Sequence, residues 1–211
     1  MSAFRRLRKA DPDGAKQVAA AVGSLAGDPS PDGSTAHGVA AYSAGGMELL
    51  RGAVLVAATM TVGLVAGVFV LYAHTIMPGL RRTDDRTFVA AFQSIDRAII
   101  NPWFMASFFG ALVVACLAAA LYLGSDMRTV LPWTSAAFAL YLAAVVITVA
   151  VNVPLNDALK AAGDPDRIGD LGSVRERFNE TRWAAWNLVR AVTSTAAFGC
   201  LIWALVTYGR T

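Results

Sequence analysis

Four apolar runs decide what this chain can become. They cover about residues 52–77, 103–123, 132–153 and 184–208. Each reaches the ~20 residues that a helix needs to cross ~30 Å of hydrocarbon. In a bilayer the backbone of such a segment must satisfy its own hydrogen bonds, and a run of this length does so as a helix. The expectation is an all-α integral membrane four-helix bundle. Composition agrees, since 56% of the 211 residues are hydrophobic and 16% charged. The formal charge of +3 is small and dispersed. It leaves no footprint for nucleic acid, and none is expected as a partner. The expected partner is the lipid bilayer, and the expected place is the cell membrane, crossed several times.

The ends of the runs carry punctuation. Pro78 closes the first. Asn101-Pro102 opens the second, with Asn as cap and Pro at the first helical position. Gly124-Ser-Asp closes it, and Pro132 opens the third. The turn from Gly124 to Leu131 is short, so the second and third helices should be antiparallel neighbours. The other two connections are long and polar, and alternation of the helices puts both on one side. Lys and Arg near the helix ends favour that side as cytoplasmic, while the cluster Arg5–Lys9 argues the other way. In the first connection Phe88, Phe92, Ile95 and Ile99 recur at helical spacing, with Gln93, Asp96 and Arg97 on other faces. Thr83 or Asp84 can cap it. This predicts a short amphipathic helix over about residues 84–99, at the membrane surface or folded over the mouth of the bundle. Gly63 and Gly67 make a Gly-x-x-x-Gly packing motif in the first run.

Residues 1–46 differ from the rest. Gly, Pro, Ser, Ala and Asp dominate them, so a packed core is not expected. They read as a disordered tail with a weak helix over about residues 14–26, followed by a four-helix domain over 47–211.

The third run ends in Val151-Asn-Val-Pro-Leu-Asn-Asp157. Pro154 lacks an N–H and crowds the carbonyl four residues back, so the helix is expected to kink or stop there. Asn152 and Asn156 share a face if the helix continues. The plain reading is a helix end at the lipid–water boundary; the sharper one is a polar pocket at the mouth of the bundle. The fourth run opens Arg182-Trp-Ala-Ala-Trp-Asn-Leu-Val-Arg190. Trp183, Trp186, Asn187, Arg190 and Ser194 step by three and four along one stripe. Tryptophans at a helix end serve as interface anchors. Arg190 lies two turns deep, where a cation must snorkel or find a partner. Asp157 is the expected partner, and Asp96 the second choice. His74 is a lone histidine, more simply a satisfied polar residue than a ligand. Cys116 and Cys200 sit inside apolar runs as small buried hydrophobes. No metal-ligand set can be assembled from the sequence, and no phosphate loop or nucleophile elbow occurs.

Several pieces occur in a telling order: Met77-Pro-Gly-Leu-Arg-Arg, then Asp84 through Ile99, then Asn101-Pro-x-Phe, then Asn152-Val-Pro-Leu-Asn-Asp157, then Arg177-Phe, then Trp183-x-x-Trp-Asn-x-Val-Arg190. Together they resemble the anthrone-oxygenase-like family of small four-helix membrane proteins, over about residues 50–208. The resemblance implies oxidation of an anthrone, an aromatic polyketide-like substrate, by dioxygen and without a cofactor. The implied partner is a flat aromatic small molecule. The implied catalytic pair is Asp157 as base and Arg190 as electrostatic stabiliser. Trp183 and Trp186 would stack on the rings, and Asn152, Asn156 and Asn187 would donate to the oxyanion. An Asp paired with Arg makes a weak base, which is a difficulty for that assignment. A non-enzymatic membrane protein, whose polar residues only lock helix ends, is the rival reading. Transport ranks third, because four helices without an internal repeat would need a homo-oligomer.

Overall fold

The computed structural model describes residues 33–124 and 127–210, with side chains from Gly45 onward. The basic cluster Arg5–Lys9 and the weak helix expected over 14–26 lie outside the described residues. The chain divides into two units, Met1–Gly46 and Met47–Thr211, and the helix bundle belongs to the second. The described residues are helical and connecting segments, with no strand among them. Helix α1 spans Gly33–Leu71, so the region expected to be a tail overlaps its start over residues 33–46. A π-turn, Tyr72–Ile76, leads into the short α2, Met77–Leu80. Then come α3, Asp85–Ile99, and α4, Pro102–Tyr122. Helix α5, Leu131–Ile147, passes through a second π-turn, Thr148–Asn152, into α6, Val153–Ala161. A single 3-10 turn, Pro165–Arg167, precedes α7, Leu171–Phe178, and α8, Glu180–Tyr208. Four continuous stretches are long and apolar enough to cross a membrane: Gly45–Leu80, Pro102–Tyr122, Leu131–Ala161 and Leu171–Tyr208. The unit is a multi-pass membrane helix bundle.

Neither proline stops its helix. Met77 N–H bonds back five residues to Tyr72 O, and Val153 N–H bonds back to Thr148 O. The next residue in each case is proline, Pro78 or Pro154, which has no N–H to place. The widened turn and the missing donor therefore fall together as one defect, and the helix continues beyond it. Both halves of the unit then repeat one order: π-turn with proline, short helix, Asn cap, spanning helix. Asn101 caps α4 by accepting from Phe104 N–H, and Asn179 caps α8 by accepting from Arg182 N–H. Ile76-Met-Pro-Gly and Asn152-Val-Pro-Leu share little but the proline, so sequence comparison passes over this recurrence.

The bundle core is made of small and aromatic side chains in layers. Ala111, Ala115, Ala118, Ala137, Ala144, Ala197 and Ala204 are fully buried, and Tyr122 and Tyr141 fill the gaps between them. Tyr141 donates to Phe108 O at 2.9 Å, which satisfies its hydroxyl in the apolar interior. Gly63 of the Gly-x-x-x-Gly pair faces Phe198: a Cβ there would stand 2.7 Å from Phe198 Cε2, while Gly67 has open space.

The amphipathic helix forms where the spacing places it, as α3. Asp84 caps it, accepting from Thr87 N–H at 3.0 Å and from the Thr87 hydroxyl at 2.7 Å. Those two donors hold the Asp84 carboxyl below its ordinary range. The helix folds over the bundle mouth, burying Phe88, Val89 and Phe92. The expectation that Gln93 and Asp96 face elsewhere is corrected, for both are buried too. Gln93 Nε2 donates to the carbonyls of Leu159 and Gly163, so its polar head closes the open end of α6. The long third connection contains α7, which the charged sequence Leu-Gly-Ser-Val-Arg-Glu-Arg-Phe conceals. Arg175 of α7 ties the cap together. It donates to Thr83 O and Asp85 at 3.0 Å, to Arg81 O and Glu180 at 3.1 Å, and lies 4.2 Å above the Phe88 ring.

Candidate functional site

Below this cap, α1, α3, α4, the α5–α6 helix and α8 enclose a cavity of about 200 Å³. Seven of its nineteen lining residues are aromatic. Phe69, Tyr72, Phe92, Phe104, Phe108 and Trp183 all line it. Tyr72 and Phe92 stand 5.7 and 5.5 Å from Trp183, and the Phe92 ring meets the indole edge-on at 90°. Phe104 stacks on Phe108 at 6.0 Å. Such a lining suits an apolar, ring-shaped guest.

Two cations line this space, Lys160 at its polar end and Arg190 deeper inside. Arg190 lies ten residues beyond Glu180, about 15 Å along α8, and is 5% exposed. Its Nη1 donates to Thr148 Oγ1 at 3.1 Å and its Nη2 to Asn187 Oδ1 at 2.8 Å. Its Cζ lies 4.4 Å from the centroid of the Phe69 ring and 5.5 Å from that of Trp183. Thr148 passes its own proton to Ala144 O, and Asn187 Nδ2 donates to Phe69 O. Both neutral partners are thereby oriented to accept from the guanidinium. Nε keeps no partner among the described residues. A buried cation held only by neutral acceptors and ring faces retains an uncompensated positive field.

The expected pair of Arg190 with Asp157 does not form. Asp157 is the residue after Asn156, a rotation of about 100° further round α6. That step carries its side chain off the inner face to the cavity rim, where it is 61% exposed and 3.0 Å from Lys160 Nζ. Asp96, the second choice, also misses Arg190. It is 6% exposed, and its Oδ1 accepts from Asn156 Nδ2 at 2.6 Å. Lys160 Nζ stands 2.8 Å from Oδ2 in an ion pair. Asn156 is oriented by chemistry: its Oδ1 accepts from Trp183 Nε1 at 2.7 Å, and an indole N–H can only donate. One relay thus runs Trp183, Asn156, Asp96, Lys160, Asp157.

The remaining expected site residues divide. Asn156, Asp157, Trp183 and Arg190 line the cavity. Asn152 lies on the same face as Asn156, as a spacing of four requires, and donates to Trp183 O at 3.3 Å. Asn187 stands behind Arg190. Trp186 is not in the site. It lies three residues past Trp183, is 38% exposed, and points outward, where an interface anchor belongs. Tyr72, Phe92, Thr148 and Lys160 were missed. The one signal for Lys160 lay in position, since 96 and 160 fall in the two long connections expected on one side. Among the described residues no group of His, Cys, Asp and Glu is placed to hold a metal ion.

Comparison with curated proteins gives no match. Comparison with solved structures gives none either. Residues 103–200, which include Asn152, Asn156, Asp157, Trp183, Asn187 and Arg190, match the anthrone oxygenase family model. That match supports an anthrone-oxygenase-like family assignment for the chain, and with the family comes the suggestion of an oxygenase-like function.

Proposed function

We propose that the chain is an oxygenase of the cell membrane, acting on a flat aromatic polyketide-like substrate whose acidic C–H is conjugated with a carbonyl, as in an anthrone. The observation that carries this reading is Arg190, a buried guanidinium without a carboxylate among the described residues, beside an aromatic-walled cavity. Such a cation costs stability unless something negative visits it. The enolate oxygen of a deprotonated anthrone is such a charge.

The chemistry balances with dioxygen alone. A base removes the proton from the acidic carbon, and the negative charge spreads onto the carbonyl oxygen near Arg190. The electron-rich carbon reduces dioxygen and bonds to it, giving a hydroperoxide once a proton returns. Cleavage of the O–O bond with loss of the remaining C–H proton leaves a second carbonyl and one water. Anthrone and O2 become anthraquinone and H2O. We assign the base to Asp96, which lines the cavity and is 6% exposed, rather than to Asp157, whose side chain is 61% exposed at the rim; Lys160 pairs with both. Arg190 stabilises the oxyanion. Trp183 offers a ring face, fixed by its N–H bond to Asn156. Asn152 and Asn187 already donate to the carbonyls of Trp183 and Phe69, so in this scheme they position the site and do not touch substrate.

The test is turnover of anthrone under isotopically heavy dioxygen by the purified chain in liposomes. The reading expects one heavy atom in the new quinone carbonyl and none taken from water. Absence of enzyme-dependent quinone formation would favour the non-enzymatic reading, in which these residues only lock helices together.

A further inference from the structure

We propose that the cavity fills sideways from the hydrocarbon of the bilayer, so that its guest is an uncharged aromatic already dissolved in the membrane. This rests on reading the cavity as the substrate site. Five of its lining residues are exposed: Ile100 at 57%, Phe109 at 50%, Val149 at 56%, Val153 at 39% and the Asp157 side chain at 61%. The first four are apolar. Phe109 belongs to the span Pro102–Tyr122, and Val149 and Val153 belong to the span Leu131–Ala161. The cavity therefore has an apolar mouth between the start of α4 and the π-turn after α5, on surface of the spanning segments, while Asp157, one turn beyond Val153, marks its polar end beside Lys160.

The other end is closed differently. Lys160 lines the cavity and bridges Asp96 at 2.8 Å and Asp157 at 3.0 Å, beneath the cap of α3 and α7. A neutral aromatic arriving from water would have to separate these charges and pass the ring cluster of Phe88, Phe92 and Phe178. From the lipid side it passes only C–H surface. An apolar tricyclic molecule already gains about 25 cal/mol per Å² by leaving water for lipid, so the membrane is also where it is most concentrated. The π-turn matters here. It places Val149 at the mouth while Thr148, the preceding residue, turns inward to Arg190.

The test uses the full chain in liposomes and a small apolar photoreactive aromatic, 3-trifluoromethyl-3-phenyldiazirine, dissolved in the bilayer. Adducts are mapped by mass spectrometry after illumination. The expected result is labelling of Phe92 and Trp183, each only 3% exposed, reduced by excess anthracene but not by membrane-impermeant anthracene sulfonate. Val149→Phe together with Val153→Phe should lower that inner labelling several-fold, while labelling of the outward-facing Val113 persists. Adducts confined to outward-facing residues would overturn the lateral mouth, as would equal protection by the sulfonate. Anthracene has no acidic C–H to oxidise, so inner labelling without any anthrone turnover would keep the mouth and sink the oxygenase reading.

Discussion

Arg190 hands one of its N–H groups to Asn187 Oδ1 at 2.8 Å, one turn back on the same helix. Asn187 uses its own amide to hold the Phe69 carbonyl at 3.1 Å on another helix. The guanidinium is thus aimed by a neutral amide that is itself pinned to α1. Among the described residues no opposite charge pairs with it, and this distinguishes the site from a structural salt bridge.

The first consequence concerns coupling. Arg190→Leu and Asp157→Asn should be additive, with an interaction below about 0.5 kcal/mol in a double-mutant cycle of unfolding in detergent. Lys160→Met and Asp96→Asn should couple by on the order of 1–3 kcal/mol, because each change alone strands a partner in a largely buried pair. Strong coupling in the first cycle would mean that Arg190 and Asp157 do meet.

The two tryptophans should separate cleanly. Trp183→Phe removes the donor to Asn156 Oδ1 and should cost about 1–2 kcal/mol, since a buried acceptor is left unmade. Trp186→Phe, on the exposed side, should change stability by less than about 0.5 kcal/mol. Thermal unfolding of both variants in one detergent checks this. Equal effects would contradict the placement of Trp183 inside and Trp186 outside.

The glycine pair should separate as well. Gly63→Ala pushes a methyl group against Phe198 and should destabilise by about 1–3 kcal/mol, the usual range for overpacking. Gly67→Ala meets nothing and should be neutral or slightly stabilising through helix propensity. The midpoints of unfolding of the two variants decide it.

Much of this architecture can be read from the residues alone, and the rest fails for definite reasons. The four spans are long enough to be unmistakable, and Phe88 and Phe92 announce α3 by their spacing. Gln93 and Asp96 read as lying off the apolar face because their partners, Leu159 and Asn156, arrive from sixty or more residues away. Pro78 reads as a stop, and Pro154 as a kink or a stop, because a π-turn leaves no mark in composition. The depth of Arg190 is visible in its position along the run. Its partner is not, since the π-turn at Thr148–Asn152 sets which way the residues after it face and so moves Asp157 away.

The role of Arg190 is read most directly from oxygen uptake by the purified chain in liposomes supplied with anthrone. The parent should consume one O2 per quinone formed. Arg190→Leu should remain folded yet turn over at least ~100-fold more slowly, the loss typical of removing one oxyanion-stabilising group. Asp157→Asn should keep most of the rate. An Arg190→Leu protein that is folded and as fast as the parent would contradict the role assigned to this residue, and with it the proposed site.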